Sequence, residues 1–293
     1  DITNSYNEPG RFVTLVGYEW AGRQVHRNVY TSRERLELFR GMYPPTSCIR
    51  EVWARFHGDE QVVAGPHAPL AHGLRWEHHD PTVERFVEVY SMWGASDDRD
   101  NPLAPAWGKD RPEAISAFEL LARGVRLGFT GGGDCHEGHV GFSCEDPDGQ
   151  GATSHTFAEL LRYRCGLTAA VMDRLDRASL LAALRDRRTY ATTGARILLD
   201  FAAGGVPMGG TGRAAAGGVE CRAEVHAEGT IERIELIRDG RVAHAAAGGA
   251  LDAAIGWTDP QPPGGESWYC LRVVQRDGQM AWSSPVWLSA DPA

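Results

Sequence analysis

The chain has 293 residues, of which 42% are hydrophobic and 24% charged, the balance of a globular protein with enough apolar material for one large domain or two ordinary ones. A formal net charge of −9 argues against a general nucleic-acid binder, which needs basic faces to neutralise phosphates, but leaves a small phosphorylated substrate open, because a bound metal supplies positive charge locally. No apolar run is long enough to span a membrane, and six cysteines without a CxxC pair argue against both a thiolate zinc site and a disulfide scaffold.

In chain order, residues 12–18 form a buried strand that ends at Glu19. Residues 47–57 carry Ile49, Val52, Trp53 and Phe56 at helical spacing. The apolar run 62–65 ends at Pro66-His67, and the run 86–90 precedes a polar loop rich in Asp, Asn and Pro. A helix over 112–124 stops at Gly124. Residues 126–130 enter a glycine run, 131–133, that leads into Asp134-Cys135-His136, and a further helix spans 177–187. Strands alternating with helices predict an α/β fold, in which active sites are built just beyond the strands.

The pattern changes near residue 196. Short β-like runs follow at 197–203, 219–226, 231–238, 267–275 and 281–288, separated by Gly, Pro and Asp-Gly turns. Two domains are expected: residues 1–196, α/β and metal-binding, and residues 197–293, a small all-β sandwich. The Gly/Ala-rich stretches 204–218 and 245–254 are expected as loops, and Cys221 and Cys270 as buried free thiols.

Several histidines fall at strand ends beside acidic residues: Glu19 with His26, His67 with His72 after it, and Asp134 with His136 and His139. Imidazole and carboxylate suit zinc, manganese or iron. Asp-x-His after a glycine-rich bend can aim two ligands into one cavity, and a bridged metal pair activates water and clamps phosphate oxygens. Taken singly, each residue has a mundane reading as a cap, a packed core histidine or a turn residue. Their recurrence at strand ends is what points to a metal centre.

The same residues carry a family resemblance. The segments 12–20 (ending Gly17-Tyr18-Glu19-Trp20), 26–30, Gly65-Pro66-His67, 87–94 and 127–139 resemble the PHP (polymerase and histidinol phosphatase) superfamily, in particular a bacterial branch with a C-terminal β-rich region that segment 187–197 also matches. The resemblance implies a distorted (β/α)7 barrel, a TIM-like arrangement, with up to three metals. Glu19 would bridge, His26 and His67 would complete one position, Asp134 would join a second and His136 a third. The implied chemistry is phosphoester hydrolysis by a metal-bound hydroxide, with Asp134, His136 and His139 as catalytic candidates. The superfamily opens with a His-x-His motif, and none precedes Glu19 here. The expectation is therefore an incomplete barrel that lacks its N-terminal part, in which only the Glu19–His26–His67 position keeps its full ligand set.

Weaker candidates are Arg27, Arg196 and Arg188 for a substrate phosphate, since guanidinium matches it bidentately. Glu88 is a candidate substrate or metal-supporting carboxylate, and Trp20, Trp76, Trp93 and Trp107 are candidates for an apolar wall. Two other readings stay open. The chain is then either a catalytically silent metal-binding module whose β-sandwich binds a partner or glycan, or a hydrolase of C–N bonds of the amidohydrolase kind.

Overall fold

A computed structural model describes residues 2–22, 25–42, 44, 47–74, 76–106, 108, 110–134, 165–261 and 263–290. After a one-turn helix α1 (Ile2–Ser5), strands β1 (Val16–Gly22) and β2 (Val25–Thr31) pair antiparallel, and β2 pairs antiparallel with β3 (Val62–Pro66). Between β2 and β3, helix α2 (Ile49–Phe56) buries Ile49, Val52, Trp53 and Phe56, one stripe of a 3.6-residue period, against Trp20, Val29, Val62 and Ala64. Gly17 lies opposite Tyr30, and a Cβ there would come within 2.4 Å of the Tyr30 ring.

A second sheet holds β4 (Phe86–Ser91) between β5 (Gly94–Ala95) and β6 (Gly128–Gly131), with β4 and β6 parallel. Helix α3 (Pro69–His72) directly follows β3. Helix α4 (Ala117–Ala122) makes the crossover to β6 and is started by a capping box in which Ser116 and Glu119 satisfy each other's backbone N–H groups. A parallel bridge between Ala64 and Glu84 ties this sheet to the first.

The remaining elements are β7 (Leu167–Ala170), α5 (Arg177–Arg185), β8 (Thr189–Thr192), β9 (Leu198–Ala203), β10 (Val206–Pro207), β11 (Thr211–Arg213), β12 (Val219–His226), β13 (Ile231–Arg238), β14 (Arg241–Ala247), β15 (Asp252–Asp259), β16 (Glu266–Gln275), β17 (Met280–Ser283) and β18 (Val286–Ser289). An eight-stranded sheet runs β11-β18-β16-β17-β8-β7, with β13 on β16 and β14 on β13. A four-stranded sheet, β10-β9-β12-β15, packs on it through Phe201, Val219 and Val225 from one side and Leu236, Leu271 and Val273 from the other. Cys221 and Cys270 are buried free thiols.

The (β/α)7 or TIM-like barrel is not the architecture found. Strands dominate, and among the described residues the longest helix is α5, with nine residues. A parallel barrel needs a crossover helix after each strand. Here β1 reaches β2 across two residues, which permits only an antiparallel hairpin, and β2 and β3 continue antiparallel. The larger sheet also runs across residue 196, since β8 pairs with β17. One core holds Val87, Phe118 and Phe129 together with Trp268, Trp282 and Trp287. Two stretches expected as loops carry strands: β10 and β11 in 204–218, and parts of β14 and β15 in 245–254. Among the described residues, no helix is long and apolar enough to cross a membrane.

Candidate metal centre

Strand alternation sorts the first sheet into two faces. Glu19 lies opposite Asn28, and Ala21 opposite His26, so Glu19, His26 and Asn28 share one face. Trp20, Arg27 and Val29 take the other face and are buried there. His67, the first residue beyond β3, donates its backbone N–H to His26 O at 3.2 Å, which places it beside His26. Asp134 arrives from the far end of β6. Gly132 N–H bonds to Tyr90 O at 2.9 Å, and two residues later Asp134 adopts a left-handed φ of 49°. The glycine at 132 leaves room for Glu88, because a Cβ there would stand 2.2 Å from Glu88 Oε2 and the carboxylate would have to shift.

These elements bring together a compact donor set. His67, 2% exposed, meets Glu88 Oε1 through Nδ1 at 2.6 Å and Asp134 Oδ2 through Nε2 at 3.1 Å. Asn28 donates to the other Glu88 oxygen at 3.2 Å, and the Trp93 indole N–H donates to Asp134 Oδ2. His72 closes α3 with its ring 5.2 Å from that of His67 and 4.4 Å from that of His26, nearly parallel to the latter. One ligand atom from each of His67, His72 and Asp134 lies within 4.8 Å of the others. Ligands bound at about 2.0–2.2 Å to one ion stand roughly 3–4 Å apart, so a small contraction would let the three share an ion. Glu19 and His26 border the set, with Oε1 and Nδ1 2.5 Å apart.

The electrostatics favour a charged His67 in the metal-free site, so an ion bound at Nε2 would displace a proton. Burial disfavours charge on His67, yet the Glu88 carboxylate and the hydrogen bonds to Asp134 and Glu88 outweigh it and hold the His67 pKa well above the usual imidazole value. Burial, followed by the charges of His67 and His26, pushes His72 down to about 3, so its imidazole is neutral and ready to ligate. Burial works to raise Glu19, but the His26 hydrogen bond and the charges of His67 and His26 outweigh it and keep its pKa low.

Of the residues expected at the site, Glu19, His26, His67 and Asp134 do converge, and among the described residues the donor group pairs His67 and Asp134 with His72. His136 and His139 lie outside the described residues, as does Trp107. Arg27 does not face the site. It is fully buried behind the sheet, with Nε 2.5 Å from Glu84 Oε1, because His26 and Asn28 on either side of it take the opposite face. Arg196 is exposed in the join between β8 and β9, and Arg188 bonds to Val171 O at 3.2 Å. Glu88 orients His67, Trp93 holds Asp134, and Trp20 belongs to the core. Trp76 stacks on His79, whose Nδ1 lies 2.9 Å from the same buried Glu84.

No protein-family model matches the chain. Over 97% of its length it is 30% identical to an uncharacterized protein of Chlamydia pneumoniae, and 31% identical to uncharacterized proteins of Chlamydia trachomatis serovar D and Chlamydia muridarum. It covers 48% of each, so the chain spans about half the length of the curated relatives it matches. CopC from Methylosinus trichosporium OB3b aligns with 34% of this chain and 97% of its own at 13% identity, with a TM-score of 0.22, too low for a shared fold. None of these comparisons supplies an activity or supports placement in the PHP superfamily.

Proposed function

We propose that the chain provides the metal site of a divalent-metal-dependent hydrolase acting on a phosphoester. The observation that carries this reading is the convergence of His67, His72 and Asp134 with Glu88 behind His67. Two imidazoles and a carboxylate suit zinc, manganese or iron, and the three ligands found among the described residues leave a position open, the pattern of catalytic rather than structural sites. A carboxylate on the remote nitrogen of a ligating histidine fixes its tautomer and raises its basicity, and Glu88 stands in that place. A divalent ion held there would act as a Lewis acid and activate water.

The chain's own residues do the positioning. Glu88 leaves Nε2 as the His67 atom turned to the site, and Trp93 fixes the Asp134 carboxylate. Among the described residues, Glu19 and His26 are available to a further ion. The choice of a phosphoester rests on the resemblance of the strand-end motifs to the PHP superfamily rather than on the donor set, since C–N hydrolysis uses the same ligand chemistry.

Elemental analysis of the wild type against His67→Ala and Asp134→Ala tests the site, and equal metal in all three would remove it. Turnover of phosphomonoester, phosphodiester and amide substrates with added zinc or manganese then tests the chemistry. Cleavage of the amide alone would reassign the bond, and metal binding without any turnover would leave a silent module.

A further inference from the structure

At the other end of the second sheet from Asp134, three arginines crowd one another. Arg85 precedes the first residue of β4, and Arg126 lies two residues before β6. The two strand starts are tied by Gly128 N–H to Arg85 O at 2.9 Å. Arg187 packs directly on this junction, because a Cβ at Gly128 would stand 2.9 Å from both Arg187 Cα and Cβ. Arg187 holds a left-handed φ of 61° because it follows the C-cap of α5, where its N–H bonds to Leu184 O and that of Arg188 to Ala183 O.

The guanidiniums are fixed along one edge and open along the other. Arg187 Nε donates to Gly209 O at 3.2 Å, and its Cζ lies 5.3 Å from the Trp287 ring centroid. Arg85 donates through Nε to Arg185 O at 2.8 Å and through Nη1 to Pro81 O at 3.0 Å. Among the described residues, neither the Nη groups of Arg187 nor Nη2 of Arg85 meets an acceptor. Arg126 pairs with Glu266, and Asp186 stands at the rim with its side chain 61% exposed. Burial, then the charges of Arg85 and Arg126, pull Arg187 down to about 10 against the opposing pull of Asp186.

Capping of α5 explains only one of these contacts, that of Arg85 Nε with Arg185 O. Backbone N–H groups of Asp186, Arg187 and Arg188 already bond to Ala182 O, Leu184 O and Ala183 O. Guanidiniums anchored around one strand junction, with Nη donors of Arg187 and Arg85 left over, can offer the planar, multiply donating groups that suit a phosphoryl group.

We propose that Arg85, Arg126 and Arg187 form a phosphate-binding site distinct from the metal donor set. The test is thermal unfolding of the full chain in chelator, titrated with inorganic phosphate against sodium chloride of equal ionic strength. Wild type is expected to gain Tm saturably with phosphate. Arg187→Gln is expected to weaken the apparent Kd at least about tenfold, the loss of one good bidentate contact, and Arg187→Lys to fall between.

Arg126→Gln replaces the more exposed member and serves if position 187 proves essential for folding; it too is expected to weaken phosphate binding. His67→Ala is expected to keep the full phosphate response. The proposal is overturned if phosphate does no more than chloride, if the arginine variants respond as wild type, if His67→Ala abolishes the shift, or if acetate reproduces it.

Discussion

Replacing Glu88 by glutamine keeps the shape of the side chain and removes one negative charge 2.6 Å from His67 Nδ1. Both side chains are nearly sealed from water, at 2% and 7% exposure, so solvent does little to screen the change. Charge centres about 4 Å apart attract by about 4 kcal/mol at an effective dielectric near 20. The glutamine oxygen still accepts from Nδ1, and a neutral hydrogen bond retains about 1 kcal/mol. The expected destabilisation is therefore about 3 kcal/mol while His67 is cationic. Its folded pKa is raised above the 6.5 of the free group. The stability it contributes is thus fully present below that value and is lost as pH rises through the folded pKa. Urea unfolding in chelator at about pH 5.5 and about pH 9, on either side of the ordinary imidazole pKa, should show the full loss at the lower pH and a smaller one at the higher. An equal loss at both, or a larger one in alkali, would refute a charged His67 held by Glu88.

Two further substitutions probe the surroundings. Gly132→Ala sets a Cβ 2.2 Å from Glu88 Oε2 and should push the carboxylate off His67. Zinc affinity by calorimetry is expected to fall about 10–100-fold, as for other losses behind a ligating histidine, with the circular dichroism unchanged; wild-type affinity would mean that Glu88 does not set the site. Arg27→Met leaves buried Glu84 without its guanidinium and should cost about 3–5 kcal/mol near neutral pH. Burial works to raise Glu84, but Arg27 and His79 outweigh it and hold its pKa low. The pair's contribution is therefore present above the ordinary carboxylate value and fades as pH falls through the lowered one. Urea unfolding at descending pH checks this, and a loss that does not shrink in acid would contradict it.

The elements were more legible than their arrangement. The stripe Ile49, Val52, Trp53, Phe56 marks α2 because its period matches a helix against a core. Strands such as β12, buried at every second residue, announce themselves in the same way. By contrast, β14 is mostly exposed and ends in three alanines, so its own residues say little. Its place comes from pairing with β13. The barrel expectation failed at a different level. Apolar runs do not reveal whether neighbouring strands run parallel, and that choice is made by the connections. Two residues between β1 and β2 make β1–β3 an antiparallel sheet, and α4 is the crossover that sets β6 parallel to β4.

For the site, the decisive information lies in which face a residue occupies. His26 and Arg27 are adjacent in a strand and so must point to opposite sides. That rule alone separates the site-facing histidine from the arginine that Glu84 buries. Glu88 follows from the same logic only once its partner is known: the sequence leaves it on a buried strand, and the contact with His67 Nδ1 gives it a task. His72 is harder to foresee. It reaches the cluster because Ala68 takes a left-handed φ of 37° and Pro69 starts a single helical turn, which carries the chain back over His67 and His26. No hydrophobic period encodes a turn of four residues, so the ligand that completes the donor set is the one with the weakest local signal. Among the described residues, the donor group therefore draws two members from the strand-end ligands, His67 and Asp134, and takes its third from this turn.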